Sequence, residues 1–376
     1  MSLPSLPPPI LIRDLPELER LAAGMAGQQR IAVDTESNSL HAYRERVCLI
    51  QFSSMNSDYL VDPLAIADLS CLAPIFSDPK IEKVFHAAEY DVLCLKRDFG
   101  FKMSNLFDTR IASRTLGRKR SGLGDILAEE FQVEINKRFQ RANWGKRPLS
   151  AELLDYARLD THFLLPLRDL LEKALRAAGR SEEALEACEA VKLVEPEPAN
   201  FDPQGFWRIA HARQLKPEQA AVLRQLYLLR EKYARRLDRP PFKVLGDKTL
   251  LAIAQEPPKS LESLGKFPGM SAGQVRRYGK DLLDAIKRGR DGPRPKRPSS
   301  ARVEDVVMAR YQTLREWRMR VAKTRQVESD IVLPRDIVWD IAHRAPRDRN
   351  ALQELMGPYE WRFRTYADDI LQLLWT

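Results

Sequence analysis

Apolar and polar positions mark three short stretches near the start of the chain. RIAVD at 30–34, VCLIQFS at 47–53 and DYLV at 58–61 are rich in Val and Ile and bounded by polar turns, and they read as β-strands. Strands this close together favour an antiparallel meander. A helix is predicted over 64–77, a further strand over 82–86 and a helix over 87–98. Beyond that the apolar spacing turns helical, with breaks at Gly100, Gly117, Gly122, Gly145 and Pro148. Ser150 is placed to cap a helix over 150–178, with Glu152 in its first turn, and Pro166 is expected to interrupt or kink it. The order β-β-β-α-β-α followed by helices suits an α/β domain, a mixed sheet with helices on its faces.

After VEPEPANFDPQG at 194–205 no strand pattern returns. Two later segments look alike at an offset of 88 residues. Val244, Leu245, Ile253 and Ala254 fall on Val332, Leu333, Ile341 and Ala342, and RRYGKDLL at 276–283 meets RTYADDIL at 364–371. This is an internal repeat of a small all-helical module. The expected organisation is an α/β domain over 1–195, a linker over 196–212, a first helical domain over 213–290, a basic Pro-rich linker over 291–300 and a second helical domain over 301–376.

Composition adds bounds. With 376 residues the chain is too long for one ordinary domain. Its four cysteines are scattered, without C-x-x-C, which excludes a disulfide framework or a cysteine-rich zinc site. No apolar run approaches the roughly 18 residues of a membrane span. The Pro-rich start lacks a basic segment and does not read as a secretory signal, so the expectation is a cytoplasmic protein. The net charge of +9 is unevenly spread: residues 1–200 carry −4 and residues 201–376 carry +13. The basic half would attract a polyanion, in a cell most often nucleic acid.

Acidic residues carry the candidate chemistry. Asp34 and Glu36 end the first predicted strand, where residues two apart point to the same face and can share a divalent cation. Alone, that triplet fits a solvated strand end better. Tyr156 and Asp160, four apart on a helix, share a face. Asp91 follows the strand that ends at His86, on a helix pinned by Val92, Leu93 and Leu95. His86 has no second histidine at ligand spacing, so it reads as a structural or substrate-contacting residue.

The combination says more than its parts. VDTE, VFHAAEYD and YARLD stand in the order of the three motifs of the DEDD exonuclease superfamily and resemble its tyrosine-containing branch. NWGKRPLSAELLDYARLDTHFLLPL at 143–167 is similar to ribonuclease D, in which a W-x-x-R-P-L stretch precedes the Tyr-Asp motif; here Trp144, Arg147, Pro148 and Leu149 fill it. The helical repeats resemble HRDC domains, which follow the nuclease domain in that family. Ser37 departs from the aromatic residue many members carry after the glutamate.

The resemblance implies an RNase H-like (DnaQ-like) α/β exonuclease domain with a mixed sheet, followed by two all-α HRDC-like domains. It implies a 3′–5′ exoribonuclease that releases 5′-mononucleotides and trims precursor tRNA and other small structured RNAs, using two Mg²⁺ or Mn²⁺ ions held by Asp34, Glu36, Asp91 and Asp160. Asp34 is expected to bridge both ions, Glu36 and Asp160 to hold the nucleophile-side ion, and Asp91 to support the second. Tyr156, with an ordinary pKa near 10, is expected to orient the attacking water rather than act as a base. His86, Arg141, Trp144 and Arg147 are the expected substrate contacts. Arg110, Arg114, Arg118, Lys119 and Arg120 form an acid-free cluster, and Lys137, Arg138, Arg141, Lys146 and Arg147 a second one; both are candidates to guide the strand. A DNA-directed exonuclease of the same superfamily, or a non-catalytic nucleic-acid adaptor, would share much of this pattern. With no long heptad run, the expectation is a monomer.

Overall fold

A computed structural model describes residues 6–197, 200–298 and 304–375. The ends of the predicted 1–195 and 301–376 domains and of the 291–300 linker lie partly outside these residues, as does the side chain of Lys137. Two compact units emerge: Met1–Ser37, Val47–Pro196 and Arg302–Thr376 form one, and Asn38–Arg46 with Glu197–Ala301 forms the other.

The first unit is built on a six-stranded sheet in the order β1-β4-β3-β2-β5-β6. Its strands are β1 (Ile10–Ile12), β2 (Arg30–Ser37), β3 (Val47–Ser53), β4 (Asp58–Val61), β5 (Glu82–Phe85) and β6 (Leu106–Asp108). β2, β3 and β4 make the expected antiparallel meander, while β1, β5 and β6 join in parallel. All seven residues of β3 are buried, because helices cover both faces of the sheet. Helices α1 (Leu15–Ala26), α2 (Ala73–Ser77), α3 (Glu89–Phe99), α4 (Thr109–Thr115), α5 (Leu123–Phe131), α6 (Ala151–His162), α7 (Leu164–Ala177) and α8 (Ser181–Val191) follow the strands.

Several expectations need correction. β1 and β6 escape the sequence pattern because each is three residues long, and β1 follows a proline run. Only Ser70–Ser77 of the predicted 64–77 helix is helical, as a 3₁₀ turn followed by α2. The long 150–178 helix breaks at Phe163, and Pro166 becomes the third residue of α7, where its missing N–H has no helical partner to lose.

The second half contains α9 (Pro217–Leu237), α10 (Pro241–Val244), α11 (Asp247–Gln255), α12 (Leu261–Leu264) and α13 (Ala272–Asp291), and then α14 (Asp305–Arg325), α15 (Ser329–Val332), α16 (Arg335–Arg344), α17 (Arg349–Met356) and α18 (Glu360–Trp375). The 88-residue offset extends to single bonds. Arg230 donates to the Leu245 carbonyl at 3.1 Å, and Arg318 donates to the Leu333 carbonyl at 2.8 Å.

The copies differ in what they join. α9–α13 pack with residues 38–46: Tyr43 bonds Glu231, and Arg235 donates to the Tyr43 hydroxyl at 2.8 Å. Phe206 and Trp207 enter that core, so the C-terminal part of the predicted 196–212 linker is packed structure. Its prolines suggested a tether, but the aromatic residues after them decide the outcome.

α14–α18 belong instead to the sheet-containing unit, across an ionic seam with α8. Glu183, with no exposed surface, takes Arg325 in a two-pronged pair, and Arg362 pairs with Glu186 and donates to the Ile331 carbonyl at 2.7 Å. Arg364 meets Glu182 at 2.5 Å, and Arg114 of α4 meets Asp330 at 2.7 Å. At the positions of Arg325, Glu328, Asp330 and Arg362, the first copy has Leu237, Pro240, Phe242 and Gln274, none of which can make such pairs.

Candidate active site

β2 delivers the first two carboxylates. β5 pairs with β2 only over Arg30–Ala32, so the outer half of β2 extends beyond that partner. Asp34 and Glu36 lie there, on one face and half-buried, opposite Gln51 and Leu49 of β3, just before a bulge at Glu36–Ser37. On the edge that β5 leaves open, Thr35 turns to α3. Its N–H at 3.0 Å and its hydroxyl at 2.5 Å both donate to Asp91, which is 6 % exposed in the first turn of α3.

The start of α3 is fixed by a residue that sequence reasoning missed. The Asp108 carboxylate accepts four backbone N–H groups, from Ala87 at 3.0 Å, Ala88 at 2.8 Å, Arg110 at 2.8 Å and Ile111 at 3.1 Å. It caps α4 and holds the turn that brings α3 onto the sheet. In that turn Ala87 has φ +64°, a left-handed conformation that costs a side-chain-bearing residue about 1–2 kcal/mol. An Asp-Thr pair before a helical run is an N-cap signal, and that signal was available in the sequence.

α6 brings the last two groups. Ser150 caps it, and Tyr156 and Asp160 lie one turn apart. The Thr161 hydroxyl lies 2.7 Å from that of Ser53, and His162 Nδ1 lies 2.8 Å from Asp58, which fastens α6 to β3 and β4. The Tyr156 ring packs against Trp144 and Phe139, with centroids 6.2 and 5.6 Å away.

Asp34, Glu36, Tyr156 and Asp160 then line one open cleft of about 570 Å³, together with Thr35, His86, Arg110 and Gln140. Asp91 stands behind Thr35, outside the lining. Burial raises all these acids above the ordinary carboxylate range, and for Asp34, Glu36 and Asp160 neighbouring carboxylates add to it. Asp34 is raised well above it, and Glu36 is pushed up to about 9 by burial, Asp160 and Asp91. Asp160 is pushed up to about 7 by burial and then Asp91, and Asp91 to about 7 by burial against the opposing pull of the Thr35 hydrogen bonds. Among the described residues none of the four forms an ion pair with Lys, Arg or His. Burial and the neighbouring carboxylates also raise the Tyr156 hydroxyl, which therefore stays protonated at neutral pH.

Four hard oxygen donors crowded without a cation fit a divalent metal of the Mg²⁺ or Mn²⁺ type. Among the described residues, no three His, Cys, Asp or Glu side chains already stand in a closed ligand set. Asp91 spends one oxygen on Thr35.

The expected substrate contacts divide. His86 lines the cleft. Its Nδ1 lies 2.9 Å from the Thr109 hydroxyl, whose own proton goes to the Phe85 carbonyl, so Nδ1 carries the hydrogen. Burial lowers its pKa to about 4, leaving it neutral at pH 7. Trp144 and Arg147 correct the sequence reading. Trp144 is 1 % exposed and forms the wall behind Tyr156. Arg147 forks onto Asp62 with two bonds of 2.6 Å and donates to the carbonyls of Trp144 and Cys48. With its donors used inward, it is a brace for the α6 entry. Arg141 is exposed and outside the cleft lining, whereas its neighbour Gln140 lies within it.

Comparison with known proteins covers both halves of the chain. Residues 9–176 match the 3′–5′ exonuclease domain model, and residues 219–286 and 307–374 each match the HRDC domain, again 88 apart. The yeast exosome complex exonuclease RRP6 (Saccharomyces cerevisiae) is 32 % identical over 74 % of the chain, which spans 40 % of that relative's length. The crystal structure of the catalytic core of RRP6 from Trypanosoma brucei superposes with TM-score 0.69 at 32 % identity, covering 77 % of this chain and 81 % of that one. Escherichia coli RNase D, described as an exoribonuclease involved in structured RNA processing, superposes with TM-score 0.70 at 27 % identity, covering 97 % and 98 %. With these relatives and the same domain order, the chain belongs to the ribonuclease D and RRP6 family, a 3′–5′ exonuclease domain followed by two HRDC domains.

Proposed function

We propose that the protein shortens RNA one nucleotide at a time from a free 3′ end, releasing 5′-mononucleotides, with precursor tRNA and other small structured RNAs as substrates and two Mg²⁺ or Mn²⁺ ions as cofactors. One observation carries this reading. Carboxylates from two distant segments, β2 and α6, line a single cleft with a protonated tyrosine, backed through Thr35 by Asp91 of α3, and no ion pair compensates them.

The family depends on divalent metal ions. Asp34, Glu36, Asp160 and Asp91 would hold them, and the bound cations supply Lewis acidity and neutralise the charge of a phosphodiester. The chain's own groups do the rest. The protonated Tyr156 hydroxyl donates a hydrogen bond that orients the attacking water, and the Trp144 wall fixes the ring that carries it. Neutral His86 offers the terminal nucleotide a polar contact without charge. Arg110, at the cleft, draws in the phosphate. An open cleft suits a terminal nucleotide freed from its stack.

RNA is favoured over DNA because E. coli RNase D, similar over nearly the whole chain, is named for structured RNA processing. The yeast relative is named as an exosome exonuclease; for this chain we read a cytoplasmic monomer, which light scattering on the purified protein checks. The decisive experiment is a timed digestion of a 5′-labelled, 3′-extended tRNA and a matched DNA oligomer, with Mg²⁺ or with EDTA. A one-nucleotide ladder on RNA, abolished by EDTA, is expected. Internal cuts, equal digestion of DNA, or cleavage in EDTA would overturn the proposal.

A further inference from the structure

A second cleft of about 870 Å³ opens in the same unit, between the α4 end of the nuclease domain and the C-terminal end of α14 in the second HRDC domain. Six of its lining residues are basic: Arg114, Arg118, Lys119, Arg180, Lys323 and Arg325. Three are neutralised. Arg114 faces Glu328 and Asp330, Arg118 faces Glu130, and Arg325 faces Glu183. Among the described residues Arg180, Lys119 and Lys323 have no carboxylate partner.

The cleft is held by backbone. Arg180 donates to the Thr115 carbonyl at 2.8 Å on one wall and to the Arg325 carbonyl at 3.0 Å on the other. Gly117, at φ +84°, approaches Gln326 so closely that a Cβ there would stand 2.4 Å from its carbonyl oxygen. Two walls pinned in this way, with three uncompensated cations, make a preformed anion site larger than one phosphate needs.

Its position suggests the ligand. α4 carries Arg110 in the metal-site cleft and Arg114 in the basic cleft, one helical turn apart, about 6 Å along the axis. The loop beyond α4 and the start of α5 repeat the link: Leu116–Lys119 lines the basic cleft, and Gly122–Asp125 lines the other. A chain of phosphates leaving one cleft along α4 enters the next within a few nucleotides.

We propose that this cleft binds the phosphodiester backbone of the substrate strand, 5′ to the nucleotide being removed. The second HRDC domain is thereby half of a strand-holding site. This rests on the nuclease reading above. Lys119 and Lys323 supply charge, and Arg180 fixes the walls.

The test compares wild type with Lys119→Glu/Lys323→Glu and with Lys173→Glu, an exposed charge reversal outside the cleft. Hydrolysis of a dinucleotide and of a twelve-nucleotide single-stranded RNA is followed over a range of salt. For the double variant, KM on the twelve-mer is expected to rise about tenfold or more with kcat preserved, while dinucleotide turnover stays within about twofold. The slope of log(kcat/KM) against log salt should shrink by about 0.7 for each lost phosphate contact. Lys173→Glu should match wild type. An unchanged twelve-mer KM, or equal losses on both lengths, would overturn the cleft proposal. If wild type hydrolyses neither RNA, the exoribonuclease reading fails instead. The cleft is then judged by fluorescence anisotropy of the twelve-mer in EDTA, where equal binding by wild type and the double variant sinks it.

Discussion

Two carboxylate clusters of the nuclease unit are handled in opposite ways. In the ionic seam, Glu183 and Glu186 of α8 are met by Arg325 and Arg362 of the second HRDC domain, and backbone N–H groups of Trp361 and Arg362 add further bonds to Glu186. At the cleft, Asp34, Glu36, Asp91 and Asp160 receive no cation. Burial raises the Glu186 pKa as well, but Arg362 opposes it; at the cleft the neighbouring charges reinforce burial. The two clusters therefore do different work. A buried charge with its partner present specifies a packing arrangement. A group of buried like charges without one destabilises the metal-free fold, and its chemistry accounts for its presence.

The sharpest contrast comes from neutralising one acid in each cluster. Asp34→Asn should remove a metal-holding oxygen and reduce RNA hydrolysis by roughly 10³-fold or more, the several kcal/mol that charge stabilisation by a metal contributes. The same change should leave the metal-free protein as stable as wild type, or more so, in urea melts, because it relieves repulsion. Glu183→Gln should do the reverse, with a lower melting midpoint and near-normal turnover of a dinucleotide in the folded fraction. Loss of stability in Asp34→Asn, or its retention in Glu183→Gln, would erase the distinction.

Arg362→Ala comes next. It leaves Glu186 buried with no cation, which costs about 3–5 kcal/mol. Gln274→Ala, at the matching position of the first HRDC copy, loses the capping-box bond that Gln274 accepts from the Ser271 N–H and should cost about 1 kcal/mol. Chemical denaturation of the two variants checks this, and similar midpoints would show that the seam is not what distinguishes the copies. Tyr156→Phe follows, with an expected drop in kcat of about 10²-fold. Because its hydroxyl is protonated throughout the working range, the variant should retain the wild-type pH profile; a lost limb in the profile would make Tyr156 a base.

These contrasts also explain what the sequence could reveal. The meander, the 88-residue repeat and the acid-tyrosine set are local patterns, and each survives reading without coordinates. The seam is not local. Arg362 and Glu186 sit among helical charges that look like a solvated face, and only packing shows them buried. Asp108 was missed because it acts on backbone N–H groups, which leave no trace in residue spacing beyond its cap position. Trp144 and Arg147 were assigned to the substrate because their place beside the Tyr-Asp motif suits contact and support alike. Packing distinguishes the two through burial and donor direction. The turn before α3 was likewise hidden, since nothing in the letters marks Ala87 as left-handed.

The smallest expected effect concerns pH without metal. In the folded, metal-free protein Asp91 and Asp160 lie at about 7 and Glu36 at about 9, whereas unfolded carboxylates titrate near 4. Between these values the folded state binds more protons than the unfolded state, so stability falls as pH rises from about 4 through 7 and on towards 9. In chelator the melting temperature should therefore decline over that window, beyond any drift in Asp34→Asn/Asp160→Asn. A divalent cation binds only the ionised cluster, so Mn²⁺ should raise the melting temperature by a few degrees at pH 8 and by much less at pH 5. The seam, already holding its cations, should contribute nothing to this difference: Glu183→Gln should lower the whole curve without changing the Mn²⁺ increment. An equal increment at both pH values would mean that the cation binds elsewhere.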